Sequence, residues 1–501
     1  MKKSRHIWRI AGIVSLALAL CPAGNTQKTF AQEKGRTGEE MNFDLLESYK
    51  KEGENNPLYT QRFGADPGVM EYNGRFYVYM TNDIIEYGGG KKVKENTYSK
   101  IRSINCISSD DMVNWTDHGE IPVAGSWGIA RWAVNSWAPC AAHKEIDGKE
   151  KFFLYFCNGG NGIGVLVSDS PTGPWEDVLG KPLISRSVPG CADVVWLFDP
   201  AVMVDDDGTG YLAFGGGVPE GKQENPGTGR IVRLGEDMVS LDMDPVPLDV
   251  PYLFEDSGIN KINGKYIYSY CSNWQTGGNK LGITDGAIQY MVSDDPLGPY
   301  TYAGQMFPNQ GNFFGLYGNN HHSIGCLDGE LYLFYHNRPV EKAMGITGNY
   351  RSPQADRILT DETGKMSVRG TMKGIGQKKS FDPTAQIPAS TMSDQAGIEV
   401  KAEDNVPVVH TKKGAWIRIS GADFGEGGGT LLLRAGSGTG SSIYVVLDSP
   451  DRDAAAKAQI PEGSEEPAAF ELPLSVNGVH DLYFIFDGEA DFYTWQFVRA
   501  E

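Results

Sequence analysis

One hairpin pattern occurs five times along this 501-residue chain. Each copy has a polar or aromatic start, a short strand, a tight turn and a second strand rich in aromatic residues. The turns contain Asn-Gly, Asp-Gly or a close variant, and these pairs favour two-residue hairpin turns because both positions accept positive φ angles. The copies are ADPGVMEYNGRFYVYM (65–80), WAPCAAHKEIDGKEKFFLYF (137–156), FDPAVMVDDDGTGYLAFGG (198–216), FEDSGINKINGKYIYSY (254–270) and NHHSIGCLDGELYLFYH (320–336).

A second hairpin pattern lies between copies. It occurs as ISSDDMVNWTDHG (107–119), VSDSPTGPWEDVLG (167–180) and VSDDPLGPYTYAG (292–304). Two consecutive hairpins give a four-stranded sheet, and a radial array of such sheets closes on itself with few exposed strand edges. The sequence therefore predicts an all-β chain in which residues 32–377 form a five-bladed β-propeller.

Acidic side chains stand at the start of three copies, at Asp66, Asp199 and Glu255. The first strand of each blade lines the axis of a propeller, so we expect the five starts to meet at one end of it. Pro67 disfavours helical geometry in the residue before it, and we expect an extended backbone at Asp66. A single such aspartate is commonly a turn residue. Three acids at equivalent positions of a repeat predict instead a shared pocket.

Three converging carboxyl groups suit the hydrolysis of a glycosidic bond. One protonated carboxyl group gives a proton to the leaving oxygen, and one carboxylate attacks the sugar or activates water. A third carboxylate raises the pKa of the acid by like-charge repulsion. Asp66, short and next to a proline, suits the base, and the longer Glu255 suits the acid. Asp199 would then tune the pKa of Glu255.

The same segments resemble a known family. ADP (65–67), WLFDPAV (196–202), FEDSG (254–258) and NNHH (319–322) are similar to motifs of glycoside hydrolase family 43, in particular its arabinoxylan arabinofuranohydrolases. Further similar stretches include DMVNWTDHGEIPVAGSWGIARWA (111–133), VDDDGTGYL (204–212) and YRSP (350–353). The resemblance implies a five-bladed propeller that acts as an inverting α-L-arabinofuranosidase on the side chains of arabinoxylan. It implies Asp66 as general base, Glu255 as general acid and Asp199 as pKa modulator, with base and acid about 6.5–9.5 Å apart.

Other functions fit the same propeller. β-Xylosidases and endo-arabinanases use the same fold and carboxylates, so these features do not separate them from an arabinofuranosidase. A non-catalytic glycan-binding propeller is a further alternative, although it would not need all three acids. The depth of the pocket is expected to distinguish among the enzymes.

Three side chains are predicted to contact the sugar. Trp137 starts the second copy and is expected in the pocket wall. Trp196 lies three residues before Asp199 and could stack on a sugar face or belong to the core. Arg351, in YRSP, matches a family arginine near the sugar, and its planar fork could hold hydroxyl groups or a carboxylate.

The start of the fifth copy supplies the remaining candidates. Asn320 is predicted to contact substrate. The resemblance implies a histidine ligand to calcium in the axial channel, and either His321 or His322 could provide it. Calcium prefers oxygen ligands, so water would have to complete such a site.

The C-terminal part predicts a second domain. Residues 378–393 are polar and contain prolines, as in a linker, and residues 394–501 show the short alternating strands of a β-sandwich of jelly-roll type. GAWIRISGADFGEGG (414–428), GVHDLYFIFDG (478–488) and WQF (495–497) resemble family 6 carbohydrate-binding modules.

This module departs from the family at sites that matter for binding. Ser390 stands where the family usually has an acidic calcium ligand, and the loop EGSEEPAAF (462–470) has no aromatic ring. Asp491 lies near the position of a sugar-contacting asparagine, while Trp416 and Trp495 can be core residues. Either sugar binding or a purely structural role is compatible with these features.

The N-terminus predicts export. Basic residues precede an apolar run over 10–21 that is too short to span a bilayer, and a small-residue site predicts removal of a signal peptide, residues 1–31. Lipid attachment at Cys21 is the alternative. In either case the protein would be secreted or periplasmic. No other long apolar run predicts a membrane-spanning segment. The net charge of −19 argues against nucleic acids as partners and suits a neutral or basic one. The partner that the resemblance implies is arabinoxylan or a related plant polysaccharide.

Overall fold

The computed structural model of the protein describes residues 41–403 and 406–500. The predicted signal peptide and Cys21 lie outside the described residues. The described chain is almost wholly β-structure, arranged as five small sheets around an axis and one large curled sheet. The predicted five-bladed propeller and the β-sandwich are both confirmed.

The propeller strands run outward from the axis in chain order within each blade. Blade 1 is β1 (Ala65–Tyr72), β2 (Arg75–Thr81), β3 (Ser103–Ser109) and β4 (Trp115–Pro122); blade 2 is β5 (Trp137–Ile146), β6 (Lys149–Cys157) and β7 (Ile163–Ser168); blade 3 is β8 (Ala201–Val204), β9 (Gly210–Phe214), β10 (Gly229–Arg233) and β11 (Val246–Leu248); blade 4 is β12 (Leu253–Ile262), β13 (Lys265–Ser272), β14 (Ile288–Ser293) and β15 (Thr301–Phe307); blade 5 is β16 (His322–Leu327), β17 (Glu330–Asn337) and β18 (Ser352–Arg357). Blades 2 and 5 have three strands each, so the expectation of four strands in every blade was wrong for these two.

The turns follow the sequence pattern closely. The first hairpins of blades 1, 2, 4 and 5 turn at Asn73-Gly74, Asp147-Gly148, Asn263-Gly264 and Asp328-Gly329, and both residues of every pair have positive φ. A pair of positive φ angles defines the turn type whose twist matches that of paired strands. The prediction of these hairpins from Asn-Gly and Asp-Gly is confirmed.

The innermost strands close the ring by packing side by side. β1 contacts both β5 and β16, and β12 contacts both β8 and β16. They approach closely at Gly68, where a Cβ atom would lie 2.1 Å from the carbonyl oxygen of Pro139. Glycine is therefore required where two inner strands meet, because any side chain would overlap the neighbouring backbone.

The C-terminal domain is one sheet curled into a sandwich. Its strands are β23 (Asp394–Ala396), β24 (Glu399–Glu403), β25 (Val406–His410), β26 (Trp416–Asp423), β27 (Gly429–Leu447), β28 (Ala456–Leu474), β29 (Val479–Phe486) and β30 (Asp491–Arg499). The long β27 pairs with β28, β29 and β30 and so joins the two layers. Trp495 lies in the core between the layers, packed against Phe484.

Short elements connect the two domains. β21 (Ile387–Pro388) pairs with β30 of the sandwich, and β22 (Thr391–Met392) pairs with β4 at the outer edge of blade 1. β19 (Leu359–Thr360) and β20 (Met366–Ser367) form a small hairpin after blade 5. The helices are α1 (Gly311–Phe314), α2 (Pro339–Ala343) and a 3-10 turn over Gly89–Lys91. Within the described ranges no helix is long and apolar enough to cross a membrane.

Candidate active site

A small cavity of about 120 Å³ opens at the end of the propeller axis where the inner strands begin. Six of the predicted site residues line it: Asp66, Trp137, Asp199, Glu255, His321 and Arg351. Tyr98, Ile101, Ala138, Phe198 and Asn319 complete the wall. The structure therefore brings together residues that lie up to 285 positions apart in sequence.

The backbone that presents these side chains is bent. Asp66, Ala138, Asp199 and Asp256 all have positive φ, between 39° and 68°. The expectation that Pro67 holds Asp66 in an extended conformation was therefore wrong. The pairing of β1, β5 and β12 also shifts at this point, which marks a bulge that turns the following side chains toward the axis. Positive φ angles in non-glycine residues are strained and concentrate at functional sites.

The bulges correct the alignment of the repeats. Ala65, Trp137 and Glu255 each pair with the second strand of their own hairpin. In each copy the next paired residue lies three positions further along, after the bulge. Glu255 is thus equivalent to Ala65 and Trp137, whereas Asp256 is the equivalent of Asp66. The assumption of three acids at one repeat position was wrong by one residue, and the pocket receives carboxyl groups from two adjacent positions.

Asp66 is held as an ion. Its Oδ1 accepts a hydrogen bond from Nη1 of Arg351 at 2.8 Å, and both side chains are buried. Burial alone would raise the pKa of Asp66, but the Arg351 guanidinium, followed by His336 and His321, outweighs it and holds that pKa well below its usual range. The backbone N–H of Asp66 donates to Nδ1 of His336, whose Nε2 faces the carbonyl of Asn319 at 3.0 Å. His336 therefore carries its proton on Nε2, and burial lowers its pKa.

Glu255 is held in the opposite state. Burial, followed by the charges of Asp199, Asp66 and Asp256, raises its pKa well above the usual range. Its Oε1 is buried and has no hydrogen-bond partner among residues 41–403 and 406–500. Burial and the neighbouring carboxylates also raise the pKa of Asp199, to about 7. A buried carboxyl group that keeps its proton near neutral pH has the property required of a general acid.

Asp256, which the sequence did not single out, is the centre of a buried network. Its backbone N–H donates to Oδ2 of Asp199 at 2.9 Å, and its Oδ2 lies 2.5 Å from Nδ1 of His322. Nε2 of His322 in turn lies 2.7 Å from the hydroxyl of Ser269. His321 sits between the acids, with Nε2 3.3 Å from Asp256, and the surrounding carboxylates raise its pKa although burial acts to lower it.

The aromatic and amide candidates divide into two groups. Trp137 lines the pocket and donates from Nε1 to the carbonyl of Tyr98 at 3.0 Å. Trp196 lies outside the lining, with its ring against Phe198 and Phe254. Asn320 is also outside the lining; its amide donates to the carbonyl of Gly286, and its neighbour Asn319 faces the pocket instead.

The histidines offer little for calcium. Both ring nitrogens of His322 already have partners, which leaves His321 as the candidate that faces the axis. Within residues 41–403 and 406–500, no group of three or more His, Cys, Asp or Glu is placed to hold a metal ion. Calcium at His321 stays a prediction. Thermal unfolding with and without a chelator tests it.

Asp83, Tyr98 and His336 are site residues that sequence analysis missed. Asp83 lies two residues after the end of β2, and its buried carboxylate receives the guanidinium of Arg351. The Arg351 guanidinium also lies 5.1 Å from the ring centre of Tyr98. His336 ends the fifth copy of the repeat, so its place at the end of an inner hairpin was the available signal.

An N-terminal segment that contains Phe43 and Leu46 packs against the C-terminal module. Trp416 is buried, and its Nε1 donates to the carbonyl of Leu46 at 2.8 Å. Phe43 of the same N-terminal segment packs against Tyr444. Asp491, near the predicted sugar-contacting position, has Oδ1 2.7 Å from Nδ1 of His410.

Carboxyl groups in opposite protonation states across one small pocket are what hydrolysis of a glycosidic bond requires. The fold and the site define the class of protein: a glycoside hydrolase built on a five-bladed propeller.

Comparison with known proteins identifies the family. Residues 55–366 match the model of glycosyl hydrolases family 43, and residues 388–499 match that of the family 6 carbohydrate binding module. The chain belongs to glycosyl hydrolase family 43 and carries a family 6 module.

Two relatives match along nearly the whole chain. An arabinoxylan arabinofuranohydrolase of Paenibacillus polymyxa is 44% identical over 473 residues, which cover 89% of this chain and 74% of that protein. A protein of the same name from Bacillus subtilis (strain 168) is 42% identical, over 89% of this chain and 93% of its own length. The crystal structure of a family 43 arabinoxylan arabinofuranohydrolase from Bacillus subtilis, in complex with cellotetraose, superposes with a TM-score of 0.88 at 41% identity, covering 90% of this chain and 99% of that one.

Proposed function

We propose that the protein is an exported, inverting α-L-arabinofuranosidase that removes arabinofuranosyl side chains from arabinoxylan. The observation that carries the proposal is the similarity, above 40% across both domains, to relatives named for that activity. The pocket supports it, because its acid and base candidates have pKa values displaced in the required directions.

The reaction uses one water molecule and two carboxyl groups. Asp66, ionised, takes a proton from water as the water oxygen forms a bond to the anomeric carbon. The bond from that carbon to the xylan oxygen breaks, and Glu255 gives its proton to the leaving oxygen. Asp66 ends protonated and Glu255 ends ionised, and exchange with solvent restores both. Attack opposite the leaving group inverts the anomeric configuration.

Asp199 has the role of a pKa modulator. Its charge raises the pKa of Glu255, and its Oδ2 accepts a hydrogen bond from the backbone N–H of Asp256, the residue after Glu255. While Asp199 is ionised, loss of the Glu255 proton would place two negative charges together in a buried site. The repulsion keeps the proton on Glu255 until the leaving oxygen takes it.

The size of the cavity favours removal of single sugars. A cavity of about 120 Å³ is small, so we place one sugar unit in it and the rest of the substrate outside. An endo-acting arabinanase would instead need an open groove through the catalytic centre. β-Xylosidase activity uses a pocket of similar size and is the alternative that analysis of the reaction products must exclude.

The test is the product set from wheat arabinoxylan. Wild type is compared with Glu255→Ala and with Glu145→Ala, an exposed glutamate at the opposite end of β5. We expect free arabinose and an intact xylan chain from wild type and Glu145→Ala, and a loss of about 10²–10⁴-fold in Glu255→Ala. Xylose or xylo-oligosaccharides would move the assignment to main-chain cleavage. No sugar from arabinoxylan, arabinan or xylan would favour glycan binding.

The stereochemistry and the acid are tested together. Proton NMR of the first turnovers should show the product with inverted anomeric configuration, and retention would contradict Asp66 as a base. Glu255→Ala should recover much of its rate on an aryl arabinofuranoside whose leaving group needs no proton. An equal loss on activated and natural substrates would contradict Glu255 as the acid.

Export has its own test. Mass spectrometry of the mature protein from its natural host should find an N-terminus at Gln32. A lipid-modified Cys21 at the N-terminus would show anchoring instead, and an intact Met1 would exclude both.

A further inference from the structure

Asp83 is a buried carboxylate behind the wall of the pocket. It follows β2, its side chain is fully buried, and it does not line the catalytic cavity. Its Oδ2 accepts from Nε of Arg351 at 2.8 Å and from the backbone N–H of Arg351 at 3.0 Å, and its Oδ1 accepts from Nη2 at 2.8 Å. Three hydrogen bonds from one arginine fix both the position and the plane of the guanidinium.

This arrangement fixes which guanidinium nitrogen reaches the pocket. With Nε and one N–H of Nη2 held by Asp83, only Nη1 reaches Asp66, and it donates to Oδ1 at 2.8 Å. The ring of Tyr98 packs against the guanidinium and limits its tilt. Arg351 therefore contacts Asp66 through a single N–H group, although an arginine facing one carboxylate commonly uses two.

The two oxygens of Asp66 thus differ. Oδ1 receives Arg351 and lies 3.7 Å from Nδ1 of His321, whereas Oδ2 accepts no hydrogen bond from the described residues. An oxygen already bound to a guanidinium is a poor proton acceptor. Oδ2 is the oxygen left to take a proton from water.

We propose that Asp83 is a positioning residue that turns Arg351 so that it holds only Oδ1 of Asp66 and leaves Oδ2 as the reacting oxygen of the base. This inference rests on the proposed role of Asp66 in hydrolysis. Without Asp83, the fork of Arg351 is free to bind Asp66 through both Nη atoms and cover both oxygens. The base would then remain ionised but be blocked.

The first experiment is a double-mutant cycle on an aryl arabinofuranoside. Asp83→Asn should lower kcat by at least about tenfold with a KM within about threefold of wild type, because the base is blocked while the sugar site remains. Arg351→Ala should lower kcat as well, and the double variant Asp83→Asn/Arg351→Ala should be no slower than Arg351→Ala alone. Independent roles would instead multiply the two losses.

The second experiment adds guanidinium ion far below denaturing concentration, with sodium chloride at equal ionic strength as the control. Guanidinium should restore part of kcat to Arg351→Ala, since Asp83 can hold the small cation in the place of the side chain. It should restore none to the double variant. Equal rescue of both variants, or a wild-type kcat in Asp83→Asn, would overturn the proposal.

A matched variant controls for loss of a buried ion pair. Asp117 is a buried aspartate paired with Arg62 and does not line the pocket. Asp117→Asn should reduce thermal stability but leave kcat per folded molecule unchanged and insensitive to guanidinium. If Asp83→Asn fails to fold, the comparison of Arg351→Ala with the double variant still decides, because the double variant removes both charges together. Wild-type activity on the same glycosides reports separately on the proposed function.

Discussion

At the scale of single residues, the pocket distinguishes four neighbouring carboxyl groups by their partners. Asp66 has a guanidinium, Asp256 has His322, and Asp199 has the backbone N–H of Asp256. Glu255 has an oxygen with no partner in the described part of the chain. The pKa values of Asp66 and Glu255 are displaced in opposite directions, which supports the proposed roles of base and acid.

The pKa shifts predict the effect of Asp199→Asn. The raised pKa of Glu255 keeps the acid protonated, so kcat/KM should fall as pH rises through that pKa. Removing the Asp199 charge removes a cause of the shift, and the alkaline limb should move to lower pH. The acidic limb should stay in place, because Arg351 holds the pKa of Asp66 low. A pH profile of kcat/KM on an aryl arabinofuranoside measures both limbs, and an unmoved alkaline limb would contradict the modulator role.

The sequence located some of these residues and missed others for a physical reason. Asp66 and Asp199 were visible because each precedes a proline in a repeated motif. Asp256 lies seven residues before Asn263, as Asp66 lies seven residues before Asn73, so the spacing to the Asn-Gly turn was the signal that could have found it. Asp83 and Tyr98 lie outside the repeat, and only the three-dimensional path of Arg351 connects them to the site.

At the scale of elements, the close packing of inner strands makes Gly68 a sensitive position. A Cβ at residue 68 would lie 2.1 Å from the Pro139 carbonyl oxygen and 2.9 Å from the Cα atom of Cys140. Both neighbours are backbone, so relief requires blades 1 and 2 to move apart. Gly68→Ala should cost about 1–3 kcal/mol or more, as overpacked cores do. Calorimetry should show a lower Tm, while Gly277→Ala, with no atom near its Cβ position, should unfold like wild type.

Turn chemistry was the most predictable property of the elements. Asn-Gly and Asp-Gly located four hairpins because few other residue pairs accept two positive φ angles. The outer strand of blade 2 was not predictable in the same way. VSDSPTGPWEDVLG indicated a full hairpin, but the chain beyond β7 returns to it only through two isolated bridges, Val167 to Glu176 and Ile163 to Ile184. Residues 176–182 stand where blade 4 has β15, and Pro182 among them lacks the N–H group that a longer ladder would need.

The loop between β4 and β5 carries a side chain suited to the polymer. Trp127 is 95% exposed, and Asn135 of the same loop donates to the carbonyl of the pocket residue Ile101. Trp127→Ala should raise KM on arabinoxylan about fivefold, from a stacking contact of about 1 kcal/mol, and leave KM on an aryl arabinofuranoside unchanged. Trp127→Phe should retain most of the affinity, and Val178→Ala, exposed elsewhere, should change neither constant. Equal KM values of wild type and Trp127→Ala on arabinoxylan would exclude a stacking role for Trp127.

At the scale of the whole molecule, the two-domain architecture was readable from the sequence but the junction was not. The segment predicted as a linker contains β22, whose residues Thr391 and Met392 pair with Thr116 and Trp115 of blade 1. Such pairing depends on how two folded domains meet, and no periodicity in a two-residue strand reveals it. The module therefore completes the outer edge of a propeller blade.

Further contacts join the module to the same blade. Asn114 both donates to and accepts from the backbone of Ser420, at 2.8 Å in each direction. Gln395 donates to the hydroxyl of Thr60, and the backbone N–H of Asp117 donates to the carbonyl of Ser390. These hydrogen bonds lie where the sandwich covers the edge strand β4. Removing the module would expose that edge to water and to other chains.

A chain ending at Lys379 should therefore be less stable than the full chain. We expect a lower Tm and aggregation during unfolding, because β4 loses its partner strand and the buried groups that faced the module lose their hydrogen bonds. In the full chain, Asn114→Ala removes two of these bonds and should cost about 1–3 kcal/mol. Scanning calorimetry and hydrolysis of an aryl arabinofuranoside, which needs no polysaccharide binding, measure stability and the catalytic site separately. A truncated chain with wild-type Tm and kcat would show that the module stabilises nothing in the propeller, and its role would then have to be sought in binding the polysaccharide.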